Sequence, residues 1–227
     1  MAQSKGKKRA SSALRATGTS RTAKRPVAAR AKSPAPRAKS AAPKRRNIKR
    51  IDASPAFMEK ERVARYSKLR SSSKAFIDTK FPNGAREILN VIGRGVVEDA
   101  ELLPPITDNR DFNVAYIRAR HGKGATLHIH ETLEVFIPIK GEWGIYWQNK
   151  DGTTHEVVLN PCDTVSVPIG LSRGFRYVGK GEGVMLAIIG GTDPGRVHWP
   201  KETIEMAKKL GYGLKDGDLV ELSAAAE

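Results

Sequence analysis

Two histidines and a glutamate that lie close together in the sequence are the residues best suited to chemistry. His128 and His130 are two positions apart in the segment GATLHIH. If that segment is a strand, both imidazoles leave the same face, because side chains alternate along a strand. Glu134 comes four residues later, after a predicted turn and at the start of the next predicted strand. Two imidazoles on one strand and a carboxylate on its hairpin partner can meet at one point.

These donors suit a divalent transition metal ion, namely Fe, Mn, Ni, Cu or Zn. The alternative is that His128 and His130 merely line one face of a sheet, while Glu134 is solvated. For an isolated pair of histidines at this spacing, the second interpretation is the more common one. The surrounding sequence has to decide between them.

Short runs rich in Val, Ile, Phe, Tyr and Trp recur from residue 111 onward, separated by Gly, Pro, Asn and Asp. Eight such runs at close spacing are typical of an all-β antiparallel sandwich or barrel, and not of a parallel α/β sheet. Asp151-Gly152 lies between two of the runs and is a strong hairpin signal. The predicted strands are 112–119, 124–130, 133–139, 143–148, 154–159, 163–167, 173–178 and 183–190.

Two helices are predicted outside these strands. The segment 55–70 has apolar residues near helical spacing, with Ser54 as a candidate N-cap and Pro55 at the first helical position. A second helix is predicted at 200–210, where a proline begins the segment and a glycine follows it. Hydrophobic periodicity does not decide between strand and helix at 85–99.

The first 50 residues are a separate basic segment. They contain 17 Lys or Arg and no Asp or Glu, whereas the other 177 residues contain 23 basic and 24 acidic residues. All 14 aromatic residues lie beyond residue 50, so this segment cannot bury enough apolar surface to offset the entropy of ordering it. The sequence therefore predicts a disordered basic tail, whose composition resembles the tails of linker histones (histone H1) and of histone-like bacterial proteins.

Dispersed cations on a flexible chain neutralise phosphates without reading sequence. Non-specific nucleic-acid contact through residues 1–50 is therefore one hypothesis for the tail. The alternatives are a solvated extension, an organelle transit peptide, and translation that starts at Met58, which would leave residues 1–57 outside the native protein.

The 177 residues after the tail suit one domain of ordinary size. The sequence predicts four segments: the disordered tail 1–50, an N-terminal helix and lead-in segment 51–110, a β-barrel core 111–192, and a C-terminal helix and tail 193–227.

Composition excludes several classes of protein. No stretch approaches about 18 consecutive apolar residues, so no membrane association is predicted, and the N-terminus lacks the apolar region of a secretory signal. The single cysteine, Cys162, excludes an intramolecular disulfide framework and an all-cysteine zinc site. We expect a cytoplasmic protein, attached to the nucleoid if the tail contacts DNA.

Other candidate residues carry weaker signals. Trp143, Tyr146 and Trp147 lie in one predicted strand, where they either line a ligand pocket or pack in the core. The histidines outside the GATLHIH segment are interpreted as surface or loop residues: His121, His155 and His198.

The spacing around the two histidines resembles a known motif. Gly122-x5-His128-x-His130-x3-Glu134-x6-Gly141 is similar to the complete first motif of the cupin superfamily. The resemblance implies a jelly roll, or double-stranded β-barrel, with a metal site at its mouth. It also implies that His128, His130 and Glu134 are metal ligands.

The second cupin motif is matched only in part, at residues 162–177. Pro168 and Gly170 match, but Cys162 stands where the family has its first glycine, Arg173 where it has a metal-binding histidine, and Tyr177 where it has an asparagine. We interpret Cys162 as a structural substitution and not as a nucleophile, since no base is identifiable beside it.

Arg173 cannot serve as the fourth ligand, because a guanidinium has no lone pair to give and its permanent charge repels a cation. The three remaining residues still form the two-histidine, one-carboxylate set used by non-haem iron oxygenases. Arg173 has two interpretations: a catalytic clamp for an anionic substrate, or the partner of Glu134 in a structural ion pair of a metal-free barrel.

The leading hypothesis is a metal-dependent cupin of dioxygenase-like type that acts on a small anionic or aromatic compound. The alternative is a non-catalytic small-molecule-binding cupin, a sensor or regulatory module with a DNA-contacting basic tail. Fold alone does not decide between them. Similar cupins are commonly dimers, so the resemblance also implies a homodimer.

Overall fold

The computed structural model describes residues 48–222. Apart from residues 48–50, the predicted disordered tail lies outside the described residues, as does the end of the chain from residue 223. Within residues 48–222, no helix has the length and apolar character needed to span a bilayer.

The described residues form mainly β-strands. The strands are β1 (Glu87–Ile92), β2 (Phe112–Arg120), β3 (Gly124–His128), β4 (Glu134–Lys140), β5 (Trp143–Gln148), β6 (Thr154–Leu159), β7 (Val165–Val167), β8 (Ser172–Tyr177), β9 (Glu182–Gly190), β10 (Tyr212–Lys215) and β11 (Asp218–Glu221). The α-helices are α1 (Pro55–Glu61) and α2 (Lys201–Lys209).

Strands β2 to β9 form a jelly roll. One sheet has the order β1-β2-β9-β4-β7 and the other the order β3-β8-β5-β6. Every pairing within the two sheets is antiparallel. An eight-stranded double sheet of this kind is the jelly-roll architecture. The eight strands predicted from the sequence are confirmed, each within two residues of its expected bounds.

The predicted pairing of β3 with β4 is wrong. β3 pairs with β8, while β4 pairs with β9 and β7 in the other sheet. The residues between β3 and β4 carry the chain from one sheet to the other, so Glu134 meets the two histidines across the barrel. The inner faces of two packed sheets converge in this way without any hairpin between the strands.

The predicted helix at 55–70 is only partly correct. Ser54 accepts a hydrogen bond from the Phe57 amide and Pro55 begins the helix, as expected, but α1 ends at Glu61. None of its residues is buried, so tertiary packing does not stabilise a longer helix. A short 3-10 turn follows at Tyr66–Lys68. There Tyr66 packs edge-on against Tyr116 of β2, with ring centroids 5.0 Å apart.

The segment that periodicity left undecided contains β1. This strand pairs with β2 at the edge of the five-stranded sheet and so belongs to the barrel, although it lies within the segment 51–110 that the sequence assigns to a lead-in. The late helix is confirmed as α2. The hairpin of β10 and β11 was not predicted, although its turn contains Asp216-Gly217, the same signal as Asp151-Gly152.

The barrel core is built from aromatic and aliphatic side chains of both sheets. Trp143, Phe136 and Met185 have no exposed surface, and Phe175 packs between the rings of Phe136 and Trp143, at centroid distances of 5.2 and 6.0 Å. Burial of this apolar surface is the main source of stability for the barrel.

Tyr177 replaces the asparagine of the second motif without a steric conflict. Its ring is buried, and its hydroxyl donates to the carbonyl of Lys180 at 2.7 Å. A Cβ atom at Gly141 would lie 2.4 Å from that hydroxyl oxygen, and Gly141 also has a φ of 72°. The glycine at the end of the first motif therefore makes room for the large ring in the second.

The backbone conformation of Cys162 is one that favours glycine, the residue found at this position in the second cupin motif. Its φ is 74°, in the left-handed region, and its amide donates to the carbonyl of Pro138 at 2.9 Å. A side chain in that region is strained by contact between Cβ and the backbone.

We predict that Cys162→Gly stabilises the protein. Glycine removes the strain at a φ of 74°, and the free energy of unfolding should rise by about 0.5–1 kcal/mol after the larger backbone entropy of glycine is deducted. Chemical denaturation measures the change. Cys162→Ser is the matched control, because it keeps the strain and should behave like wild type. If Cys162→Gly were no more stable than the wild type, Cys162 would not be strained.

Candidate metal-binding site

Three buried side chains meet between the two sheets of the barrel. His128 is the last residue of β3, His130 follows it, and Glu134 begins β4 in the opposite sheet. Their side chains are almost wholly buried, and one ligand atom from each lies within 4.8 Å of the others. The convergence expected from the sequence is therefore present.

His128 has a defined tautomer. Its Nδ1 lies 2.7 Å from the carbonyl oxygen of Thr126, which can only accept a hydrogen bond, so Nδ1 carries the proton and Nε2 has a free lone pair. Burial, together with the positive charge of Arg173, lowers the pKa of His128 well below its usual value. The imidazole is consequently neutral at physiological pH and presents Nε2 as a donor of electrons.

His130 is less well satisfied. Its Nε2 lies 3.7 Å from Oε2 of Glu134, and its Nδ1 is buried without a hydrogen-bond partner. Its ring is nearly perpendicular to that of His128, with centroids 4.9 Å apart. Buried polar atoms without partners are uncommon in native proteins and frequently mark a ligand site.

Arg173 lies beside these residues with its guanidinium turned to Glu134. It is the direct cross-strand neighbour of His128 on β8. Nη2 and Nε donate to Oε2 of Glu134 at 2.7 and 3.2 Å, and Nη1 donates to the carbonyl of His128 at 3.4 Å. Arg173 thus forms an ion pair with Glu134, as one of the two interpretations of this residue predicts.

Burial acts on the two charges of this pair in opposite directions. It raises the pKa of the Glu134 carboxyl and lowers the pKa of the Arg173 guanidinium, because each charged form loses its water. Contact between the charges at 2.7 Å opposes both shifts. Each charge is therefore stable in the barrel only because the other is there.

A small cavity of about 50 Å³ lies against the three residues. Most of its other lining is aliphatic, but Arg86, Phe76 and Trp199 also line it. The Trp199 ring lies over that of His128, with centroids 5.2 Å apart. Arg173 is not among the lining residues, although it is buried.

A second acidic residue holds Trp199 in place. Trp199 Nε1 donates to Oε1 of Glu98 at 2.6 Å, and the amide of Ile77 donates to Oε2 at the same distance. Burial raises the pKa of Glu98 to about 7, against the effect of these two hydrogen bonds. Sequence analysis missed Glu98 and Trp199, because neither lies in a motif.

The other residues considered from the sequence are not at the site. His121 contacts the carbonyls of Val178 and Gly179, and His198 pairs with Glu131 at 2.7 Å. His155 packs on Trp147. None of the three aromatic residues of β5 lines the cavity: Trp143, Tyr146 and Trp147. The three histidines lie on the surface and Trp143 packs in the core, whereas Tyr146 lines a separate pocket that does not include the cluster.

The fold can now be named. The jelly-roll strand order and the first motif agree, since that motif supplies the buried cluster between the two sheets. The chain has a cupin fold.

Solved structures similar to this one include several cupin-type proteins. An oxalate oxidase in complex with the substrate analogue glycolate is 20% identical, with a TM-score of 0.43, and the match covers 59% of this chain and 60% of that chain. A cupin-2 domain protein from Rhodospirillum rubrum is 13% identical, with a TM-score of 0.46 and coverage of 66% and 87%. The polyketide cyclase RemF from Streptomyces resistomycificus is 14% identical, with a TM-score of 0.44 and coverage of 64% and 92%.

At these levels of identity the likeness concerns the fold. No protein-family model matches this chain, and no curated protein sequence matches it either. The function has to be argued from the site.

We predict strong coupling between Arg173 and Glu134. Arg173→Met leaves a buried carboxylate without its partner and should cost about 3–5 kcal/mol of unfolding free energy. The double variant Arg173→Met/Glu134→Gln has no buried charge at this place and should recover most of that loss. Denaturation of the wild type, both single variants and the double variant gives the coupling energy. Additive effects would contradict the mutual dependence of the two charges.

We also predict that Glu98 makes stability depend on pH. Between about pH 4.5 and 7 the folded protein keeps the Glu98 proton that the unfolded chain releases, so the free energy of unfolding falls as pH rises. Relative to Glu98→Gln, the wild type should lose about 2–3 kcal/mol across this range. Denaturation at several pH values measures it. The exposed Glu101→Gln is the control, and parallel curves for wild type and Glu98→Gln would contradict the shift.

Proposed function

We propose that this cupin binds a divalent transition metal ion through His128, His130 and Glu134 and acts as a dioxygenase-like enzyme on a small anionic compound. The observation that carries the proposal is the buried cluster itself. Its three ligand atoms lie within 4.8 Å of one another beside a cavity, and the lone pair of His128 Nε2 is free.

The donor set fits such an ion. Two imidazoles and one carboxylate are the ligands of non-haem iron oxygenases. A neutral His128 needs no deprotonation before it binds, and the orphaned nitrogen of His130 is the kind of buried polar atom that a ligand relieves. Both bonds from Arg173 fall on Oε2 of Glu134, which leaves Oε1 as the oxygen that could bind an ion. A metal held by three protein ligands supplies open positions at which a substrate or O₂ is polarised.

The charges around the cavity favour an anionic ligand. Arg173 is paired with Glu134 and Arg86 with Asp78, while His128 is neutral. The site is therefore close to neutral before a cation enters. A buried divalent ion brings positive charge that these residues do not compensate, and a bound anion would compensate it.

The size of the cavity favours a small anion over an aromatic compound. A volume of about 50 Å³ admits only a few non-hydrogen atoms, since an engineered cavity that binds benzene measures about 150 Å³. The Trp199 ring, which lies over that of His128, forms one wall of this cavity. In this proposal the clamp function of Arg173 requires its guanidinium to be shared between Glu134 and the ligand.

A second candidate function has one observation in its favour. The ion pair of Arg173 and Glu134 places a permanent cation next to a carboxylate that the first proposal needs for the metal. In a metal-free barrel, the same ion pair would stabilise the fold by neutralising the buried Glu134 carboxylate. The second candidate is accordingly a non-catalytic small-molecule-binding module.

Metal analysis separates the two functions. Protein purified without a polyhistidine tag should contain a transition metal, and His128→Ala and His130→Ala should lose it, because each removes one of three ligands. Elemental mass spectrometry of the folded proteins measures the occupancy. His155→Ala, which removes a histidine on the outer surface beside Trp147, should keep the metal. A wild type that stays metal-free after incubation with Fe(II), Mn(II) and Zn(II) would favour the binding module.

Arg173→His refines this test. The substitution replaces a repelling charge with a fourth nitrogen ligand, so metal affinity should rise, and each tenfold gain corresponds to about 1.4 kcal/mol. If Arg173 clamps the substrate, this variant binds metal more tightly and turns over more slowly. Unchanged affinity would show that Arg173 does not act on the metal site.

The basic tail has a function of its own in this proposal, namely non-specific contact with nucleic acid. The proposal rests on composition, because residues 1–50 carry 17 positive charges and no negative charge. The homodimer implied by the cupin resemblance stays a prediction, which light scattering of the purified protein can check.

We predict that DNA retention depends on the tail and on salt. The full chain should bind DNA in about 50 mM salt and be released by a few hundred millimolar, because counterions compete for the phosphates. A variant that lacks residues 1–50 has a nearly neutral chain and should not bind, while its thermal unfolding is unchanged. Fluorescence anisotropy and calorimetry measure these effects. Equal binding by the shortened chain would remove the tail from the interaction.

A further inference from the structure

The strand that carries His128 is held partly by a side chain from outside the barrel. The pairing of β3 with β8 is interrupted between Ala125 and His128. In that gap the amide of Thr126 donates to Oδ2 of Asp78 at 2.9 Å, and the Thr126 hydroxyl donates to the same oxygen at 3.3 Å. Asp78 therefore replaces the neighbouring strand as the partner of Thr126.

Thr126 is also the residue that orients His128. Its carbonyl accepts the hydrogen bond from His128 Nδ1 at 2.7 Å. The amide of Thr126 thus binds the Asp78 carboxylate, and the carbonyl of the same residue binds the His128 imidazole. A shift of Thr126 would change both the direction of the ring and the stability of its tautomer.

Asp78 is itself fixed on every side. It lies in the 3-10 turn Ile77–Lys80 with no exposed surface, and its Oδ1 accepts from Nη2 of Arg86 at 2.8 Å. Arg86 is held in turn by the carbonyls of Gly84 and Gly124, at 3.0 and 2.9 Å. Its guanidinium also lies near two aromatic rings that line the cavity: those of Phe76 and Phe175. The carboxylate consequently has one available position.

We infer that Asp78 is a positioning residue for His128 and acts on it through the backbone of Thr126. The inference rests on the proposed function, in which His128 binds a metal ion. Groups that hydrogen-bond a ligand imidazole on its far nitrogen orient the ring and set its basicity, and their loss typically costs 10- to 100-fold in metal affinity. In this protein the group bound to the imidazole is the Thr126 carbonyl, and the Asp78 carboxylate fixes its position by binding the amide of the same residue.

Asp78→Asn is the variant that tests the inference. An asparagine keeps the size of the side chain but has one acceptor oxygen in place of two. Either the bond to Thr126 or the bond to Arg86 is then lost. We expect the Zn(II) affinity of the full chain, measured by competition with a chromophoric chelator, to fall by about 10-fold or more. Nitrogen NMR of the metal-free protein should show that the Nδ1-protonated tautomer of His128 has lost population.

Asp99→Asn is the matched control. Asp99 is also buried, in the same part of the chain, and accepts hydrogen bonds from the hydroxyl of Ser72 at 2.6 Å and the amide of Glu101 at 3.1 Å. It contacts neither Thr126 nor Arg86. This variant should lower stability without changing metal affinity or the tautomer of His128. An equal loss in both variants would show that Asp78 acts only through stability, and wild-type values in Asp78→Asn would overturn the inference outright.

Two further measurements test the inference even if Asp78→Asn does not fold or if the wild type binds no metal. If Asp78→Asn does not fold, Thr126→Val, which removes only the hydroxyl bond to Asp78, takes its place. It should weaken Zn(II) binding several-fold, and unchanged binding would overturn the inference. If the wild type binds no metal, the proposed function fails, but the tautomer of His128 in the metal-free variants still decides whether Asp78 positions it.

Discussion

Charge burial is the constraint on which the rest of the site depends. An ionised group that is buried inside the barrel loses its water and needs a partner of opposite charge. This protein satisfies that demand twice. Arg173 pairs with Glu134 inside the cluster, and Arg86 pairs with Asp78 behind it. The result is a nearly neutral, buried site in which an added cation and an added anion would stabilise each other.

The jelly roll places these charges where they can act. Because β3 and β4 belong to different sheets, His128 and Glu134 approach from opposite walls of the barrel, and Arg173 reaches Glu134 from β8 next to His128. The ion pair thus links the two sheets at the same point as the proposed metal. The carboxylate that pairs with Arg173 is thus also a candidate metal ligand, and the pairing means that Glu134 is not an unpaired buried charge.

The segment before the barrel is part of the site and not only a lead-in. The stretch from Ser72 to Glu98 supplies β1, the Asp78–Arg86 pair and the carboxylate that holds Trp199. The pairing of β1 with β2 and the contact of Glu98 with Trp199 join residues far apart in sequence. Local patterns carry no trace of such contacts, because a buried carboxylate and a solvated one are the same letter in a sequence.

The sequence by itself determined the eight strands β2 to β9 and the candidate donor residues. Alternating apolar residues and turn signals were enough for the eight barrel strands, since one face of each is buried, and the spacing of the first motif was enough for His128, His130 and Glu134. Only the tertiary structure decided which strands pair, that Arg173 contacts Glu134, and that Asp78 supports Thr126. The physical reason is that periodicity records which face of a strand is buried, whereas pairing and charge contacts depend on which distant segments the closed barrel brings together.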